Sequence, residues 1–189
     1  MIDWWMQRRE QKRVMRVINR HYKQTQGNEL HRLVAAMVLC ELERHAVRTE
    51  CKRRPKDERL IFLIAYECFI LWIIKTSFES VVSPTRIQKL IDATKNYIEE
   101  HGHYEPEIFE RLWNSILLHM PFAMIPGEDG TTFPVAELML SVNFAGYPIN
   151  QNCSPEFAIH VMATIPYMLE NLEDYIKNRE IIDGSLEGM

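Results

Sequence analysis

The sequence predicts an all-α protein, a bundle of roughly six to eight helices around a central hydrophobic helix at about residues 57–79. Apolar side chains recur at helical spacing along most of the chain, and residues 60–78 form an apolar run without Gly or Pro. No segment shows the alternation and turn spacing that are typical of a sheet. Because the apolar run is hydrophobic all round, a helix formed by it must be surrounded by other helices or by lipid.

Three helices are predicted in the N-terminal part of the chain. Asp3 can cap a first helix that ends just before Gly27, because glycine readily adopts the left-handed conformation that stops a helix. Asn28 can cap a second helix, which continues to the basic link at residues 52–56. Pro55 lies in that link and fits the first turn of the third helix, which is the hydrophobic one.

The remainder of the chain predicts further helices whose ends are marked by proline, serine or glycine. Proline favours the first turn of a helix and breaks its interior, serine caps the start, and glycine allows the stop. The signals are Ser83 with Pro84, Pro106, Pro121 at the start of a loop that reaches Pro134, Gly146 after a short helix at residues 135–144, Ser154 with Pro155, and Pro166, which is expected to kink the last helix.

The length and composition indicate a single domain, residues 1–189, with a sizeable core. The N-terminal residues place their charges after the aromatic side chains and contain no apolar segment, so they do not resemble a secretory signal. The four cysteines form no CxxC pair, which favours reduced thiols and a cytoplasmic protein. We divide the domain into a basic part (residues 1–80), an acidic part (residues 83–180) and a frayed tail (residues 181–189).

The charge is distributed unevenly along the chain, although the net charge is only −4. Residues 1–59 hold 15 Lys and Arg against 8 Asp and Glu, whereas residues 99–189 hold 3 against 15. The two parts can face each other, within one subunit or across a dimer, or they can present charged surfaces to different partners.

Glu67 interrupts the apolar run near its middle. A membrane-spanning helix needs about 20 mostly apolar residues. The run has 15 residues before Lys75, with Glu67 among them, so we expect a core helix and no association with a membrane. An unpaired charge in a core is costly. We expect Glu67 to pair with a basic residue of the N-terminal helices; the alternatives are a protonated carboxyl or one that faces a pocket.

The sequence contains no complete catalytic or metal-binding motif. HExxH, GxSxG, GxGxxG and the P-loop pattern are all missing. His101 and His103 are the nearest metal-ligand candidates, but their place at a helix C-terminus is explained by the helix dipole, which favours positive charge there. We therefore expect neither a metal nor a cofactor, and a protein that is not an enzyme.

Arg16 and His21 stand at a spacing that is similar to the Arg-x4–6-His motif of helical RNases. In such a pair the histidine would act as acid or base and the arginine would stabilise phosphate charge. A chain this rich in arginine and histidine produces such a pair by chance, so the spacing discriminates little. A nucleic-acid-binding or RNA-cleaving domain that uses the basic N-terminal helix is the second hypothesis.

Recognition of another protein is the function that the sequence favours most. Residues 7–13 form an unbroken polar run, which predicts exposure to solvent or to another chain. The first hypothesis is a cytoplasmic protein-interaction module, such as an inhibitor of the immunity or antitoxin type whose acidic part covers a basic protein. A homodimer through the apolar N-terminal tip, residues 4–6, is a further option, and a small-ligand or metal-binding bundle around Glu67 is the third hypothesis. The candidate partner-binding residues are Trp4, Trp5, Arg8, Arg9, Arg13, Arg16, Arg53 and Arg54.

Overall fold

The computed structural model describes residues 2–21, 30–79, 82–101, 105–123, 134–164 and 168. Every regular element within these ranges is a helix, which confirms the all-α prediction. The helices are α1 (Ile2–His21), α2 (Leu30–Leu42), α3 (His45–Arg53), α4 (Glu58–Phe78), α5 (Pro84–His101), α6 (Pro106–Ala123), α7 (Pro134–Phe144) and α8 (residues 155–164).

Helix α4 is the centre of the bundle, as the apolar run predicts. Residues 64–74 are buried without interruption, so every face of this stretch meets other helices. Helices α2, α3, α5, α6 and α7 all contact α4. Helix α8 reaches it through the rings of Phe62 and Phe157, whose centroids lie 5.3 Å apart. One hydrophobic core combines side chains from the basic and acidic parts of the chain.

By length and composition α4 also resembles a helix that could cross a membrane. Its mean hydropathy reaches 1.8 over its most apolar window, of which 67% is buried inside the protein. A core helix of a bundle has the same properties, so this resemblance is weak evidence for a membrane span.

The second predicted helix is divided into α2 and α3, which is a correction to the sequence analysis. The amides of Glu43 and Arg44 donate to carbonyls three residues earlier, and the backbone of Arg44 is extended at ψ 143°. The Arg44 side chain is held by Glu41 and by Glu10 of α1, with N–O distances of 3.0 and 3.1 Å. These tertiary contacts form at a corner that contains neither Gly nor Pro, so no local signal predicts it.

Two predicted proline positions are also corrected. Pro55 lies before α4 and not in its first turn, because α3 ends with an extended Arg54 and α4 begins only at Glu58. A residue before proline avoids the helical conformation, which explains the extended Arg54. Pro121 does not start the loop, because α6 continues through it to Ala123.

Asp3 does not cap α1, because the helix already includes Ile2. The other described boundaries agree with their predicted signals. Helices α5 and α6 begin at Pro84 and Pro106, and α7 covers the short helix that was expected to stop at Gly146. The Ser154 hydroxyl accepts a hydrogen bond from the Phe157 amide at 3.3 Å, which caps α8. Gly27, Asn28, Pro166 and most of the loop at residues 121–134 lie outside the described residues.

Gly146 ends α7 in a left-handed turn with φ +88°. The Gly146 amide donates to the Asn143 carbonyl and the Tyr147 amide to the Val142 carbonyl, which is the Schellman arrangement. A Cβ at this position would lie 2.6 Å from a terminal nitrogen of Arg111, whose guanidinium stacks on the Tyr147 ring. The backbone conformation therefore favours glycine, and a Cβ would also require the Arg111 side chain to move.

Gly146→Ala is expected to destabilise the protein by about 1–2 kcal/mol, since alanine is strained at positive φ and displaces Arg111. Urea unfolding followed by circular dichroism measures this change. Gly146→Asn is the matched control, because asparagine tolerates the left-handed conformation better. Equal stability of the alanine variant and the wild type would contradict this account of the turn.

Candidate protein-interaction surface

Helix α1 packs against the bundle along one narrow side. Its Val14 carbonyl lies 3.8 Å from the Cys40 sulfur of α2, and Glu10 forms an ion pair with Arg44 at 3.1 Å. Val17 is half-buried on the same side. Most of the described side chains of α1 are therefore available to solvent or to a partner.

The remaining surface of α1 carries a continuous row of positive charge, which we call the basic face. Its side chains are exposed, except that Arg13 is half-buried. Several of its cations are four residues apart in the sequence. Residues with this spacing are neighbours on the surface of a helix, so the cations form rows along α1. The basic face consists of Arg8, Arg9, Lys12, Arg13, Arg16 and Arg20.

Five of the six cations of the basic face form no ion pair with a described residue. Within the described residues, no ion pair involves Arg9, Lys12, Arg13, Arg16 or Arg20. Arg16 donates from Nε to the Lys12 carbonyl at 3.2 Å, a contact that leaves its terminal nitrogens available. Like charges four residues apart repel each other in a helix. An anion that binds here would relieve this repulsion.

An open groove of about 380 Å³ runs along α1 beside the basic face. Met15 lies in it and is 43% exposed, which makes it one of the few large apolar side chains described on the surface. The groove thus combines positive charge, amide groups and one apolar contact point. Its described lining residues are Arg8, Gln11, Lys12, Met15, Arg16 and Asn19.

Arg54 was expected on the surface but is buried, with only 4% of it exposed. Its guanidinium lies 3.0 Å from the Glu50 carboxylate and donates to the Asn150 carbonyl at 2.8 Å. It also lies over the Phe62 ring, 4.6 Å from the centroid. Arg54 is therefore not available to a partner.

Arg53 is half-exposed but is held by the same group of residues. It donates to the Glu50 carboxylate at 3.1 Å and to the Asn152 carbonyl at 2.5 Å. Glu50 also accepts a hydrogen bond from the Ser154 amide at 3.0 Å. Burial alone would raise the pKa of Glu50, but these hydrogen bonds and the charge of Arg54 hold that pKa below its ordinary value. We call the Glu50–Arg54 ion pair with these contacts the clasp; it fastens α3 to residues 150–154.

Glu41 is a second buried carboxylate, with 6% of its surface exposed. Its oxygens lie 3.0 Å from Arg44 Nε and 3.3 Å from His160 Nε2 of α8. Burial alone would raise the pKa of Glu41, yet His160 and Arg44 keep it below its ordinary value. The contacts attach α8 to α2, so their effect is structural.

Glu67 is buried as predicted, with 8% of its surface exposed. The expected basic partner is not present, because no ion pair or hydrogen bond reaches Glu67 from the part of the chain that the structure describes. Burial raises the pKa of its carboxyl to about 8. Glu67 is therefore largely protonated at neutral pH, which is the second of the alternatives open from the sequence.

The described cysteines and potential metal ligands show no reactive arrangement. Burial raises the pKa of all four thiols, that of Cys40 to about 11, so they are protonated and poorly nucleophilic near neutral pH. Among the described residues, no group of three or more His, Cys, Asp or Glu side chains could hold a metal ion.

Several of the sequence candidates cannot be placed. Trp4, Trp5 and His21 belong to α1 and His101 to α5, but their side chains lie outside the described part of the structure. His103 lies outside it entirely. Of the eight predicted partner-binding residues, the structure groups Arg8, Arg9, Arg13 and Arg16 on one helix, and it adds Lys12, Met15 and Arg20 to them. The four-residue spacing of the cations was the signal in the sequence that could have identified Lys12 and Arg20.

No protein-family model, curated protein or solved structure matches this chain. The functional proposal below is therefore drawn from the arrangement of its own residues.

Proposed function

We propose that this protein is a non-enzymatic binding module, working in the cytoplasm, that recognises an acidic segment of a partner protein through the basic face of α1. The observation that carries the proposal is the row of cations on the basic face, five of which form no ion pair within the described residues. Oppositely charged surfaces steer a partner to the right encounter and reject partners of like charge.

A protein fits the basic face better than a nucleic acid does. The whole chain has a net charge of −4, so its overall field opposes a polyanion that is long compared with α1. The exposed Met15 also finds no use in contacts to phosphates. An acidic protein segment matches both the limited length of the charged row and its apolar point.

The acidic part of the chain supports the inhibitor hypothesis less well. Exposed carboxylates do gather where α5 ends and α6 begins, and an immunity-type inhibitor would cover a basic protein with such a surface. One of them, Glu110, is already paired with Lys95. The exposed acidic residues there are Glu99, Glu100, Glu105, Glu107 and Glu110.

Reversing three charges of the basic face together, with Arg9→Glu, Arg13→Glu and Arg16→Glu, is expected to weaken partner binding by more than about tenfold. The partner is first captured from a nuclease-treated lysate of the source cells and identified, and its dissociation constant is then measured with purified protein. The control reverses three exposed lysines elsewhere, Lys52, Lys56 and Lys89, which produces the same change in net charge.

Two results would count against the proposal. If the basic-face variant and the control bound the partner equally, the basic face would not be the binding surface. If the wild type instead bound RNA with an affinity that fell steeply with salt, and only the basic-face variant lost that binding, nucleic-acid recognition would replace protein recognition.

A further inference from the structure

The groove along α1 presents side chains to a partner but no free backbone groups. The residues on this face belong to the interior of a helix, whose amides and carbonyls bond to each other. An extended peptide bound here would find no sheet edge for its own amides and carbonyls, and leaving them unpaired is unfavourable. A helix satisfies its own backbone and needs only side-chain contacts, so it suits this groove.

The positions of the charges also match a helix. Lys12 and Arg16 are one turn apart and lie about 6 Å from each other along the axis of α1. Carboxylates four residues apart on a partner helix have the same separation. The hydrogen bond from Arg16 Nε to the Lys12 carbonyl restrains the guanidinium, so less side-chain entropy is lost when a carboxylate binds.

Met15 supplies an apolar contact point for a partner helix of this kind. It lies in the groove with Lys12 and Arg16 on one side and Gln11 on the other. Methionine is flexible and adapts to apolar side chains of different shape. An apolar residue on the partner, flanked by acidic residues, would cover Met15 while its neighbours pair with the cations.

We infer that the groove along α1 binds an acidic amphipathic helix of the partner protein, with an apolar side chain on Met15 and carboxylates on Lys12 and Arg16. This inference rests on the proposed function and narrows it, since it names the conformation and the side-chain pattern of the partner segment.

Two synthetic peptides test the inference on the full-length protein. The first is a leucine- and glutamate-based amphipathic helix of about 20 residues, long enough to be helical alone. The second peptide has the same composition, but its sequence is scrambled so that leucines and glutamates are not sorted onto separate faces of a helix. The amphipathic helix is expected to bind at least about tenfold more tightly in calorimetry, because only it presents both contacts at once.

Met15→Ser is expected to remove most of that tenfold preference while leaving the scrambled peptide unaffected. Met162→Ser is the matched control, since Met162 is an exposed methionine on another helix. Its variant should retain the full preference. Circular dichroism of both variants confirms that they are folded.

The possible failures are distinguishable. If the two peptides bound equally well and both lost affinity in salt, charge alone would be recognised; the inference would be overturned and the proposed function would stand. If neither peptide bound, and the basic-face variant still bound the natural partner, both would be overturned. A dimer of the protein that Met15→Ser dissociated would assign the groove to a second copy and would also overturn the inference.

Discussion

Glu50→Leu is expected to destabilise the protein by about 3–5 kcal/mol, because it leaves the buried Arg54 without the main carboxylate of the clasp. Glu58 lies 3.5 Å from Arg54 and compensates it only in part. The Ser154 amide loses its acceptor as well. Urea unfolding at neutral pH measures the loss.

The double variant Glu50→Leu with Arg54→Met distinguishes the energy of the ion pair from that of the other contacts of the two residues. Removing both charges should cost less than the sum of the single changes, by about 1–3 kcal/mol, because neither charge remains buried alone. Lys52→Met is the control, an exposed position on α3 where a change of less than about 0.5 kcal/mol is expected. Strict additivity of the two single changes would contradict the clasp.

Acid should reduce the difference in stability between the wild type and Glu50→Leu. Folding lowers the pKa of Glu50 from its ordinary value of 4.5, so its stabilising effect is complete above pH 4.5. It is lost as the pH falls through the lower pKa of the folded protein, because the carboxyl is then protonated in both states.

Glu67→Gln is expected to remove a pH dependence of stability whose direction is opposite to the one that Glu50 causes. The pKa of Glu67 rises from 4.5 in the unfolded chain to about 8 in the folded protein, so the folded state binds the additional proton between these values. The free energy of unfolding of the wild type should therefore fall as the pH rises from 4.5 to about 8. The fall is on the order of 4–5 kcal/mol, since each unit of pKa difference is worth about 1.4 kcal/mol.

Glutamine cannot ionise, so the variant should lack this dependence and should be more stable than the wild type near pH 8. Urea unfolding at several pH values measures both curves. Glu100→Gln, an exposed carboxyl on α5, is the control and should leave the wild-type curve unchanged. Parallel curves for the wild type and Glu67→Gln would show that the Glu67 carboxyl is solvated or paired in solution.

Much of the fold was predictable because its signals are local. The apolar run predicts α4, since a helix without a polar face has to be enclosed. Proline at a first turn and Gly146 after a last turn act through backbone conformation, which depends on few neighbours. The corner between α2 and α3 has no such signal. It follows from the contacts of Arg44 with Glu41 and Glu10, and Glu10 is far away in sequence.

The same distinction applies to the candidate site. The polar run at residues 7–13 predicts exposure, and the structure shows the described side chains of this run largely on the surface. Arg54 carries the same charge in an equally basic stretch, yet it is buried. Its burial depends on residues 150–154, which fold over it from the far end of the chain. No property of residues 52–56 alone reveals that arrangement.

The clasp has a consequence for the lifetime of the folded state. Its hydrogen bonds to residues 150–154 join positions that are 96–104 residues apart, so the chain must close a very long loop before they form. A contact of such high sequence separation repays the cost of loop closure only when it forms, so we expect the clasp to form late in folding, after the rate-limiting step. Its energy then acts on the unfolding barrier and leaves the folding rate almost unchanged. We therefore expect the clasp to slow the opening of the native protein, and with it the access of proteases to the chain.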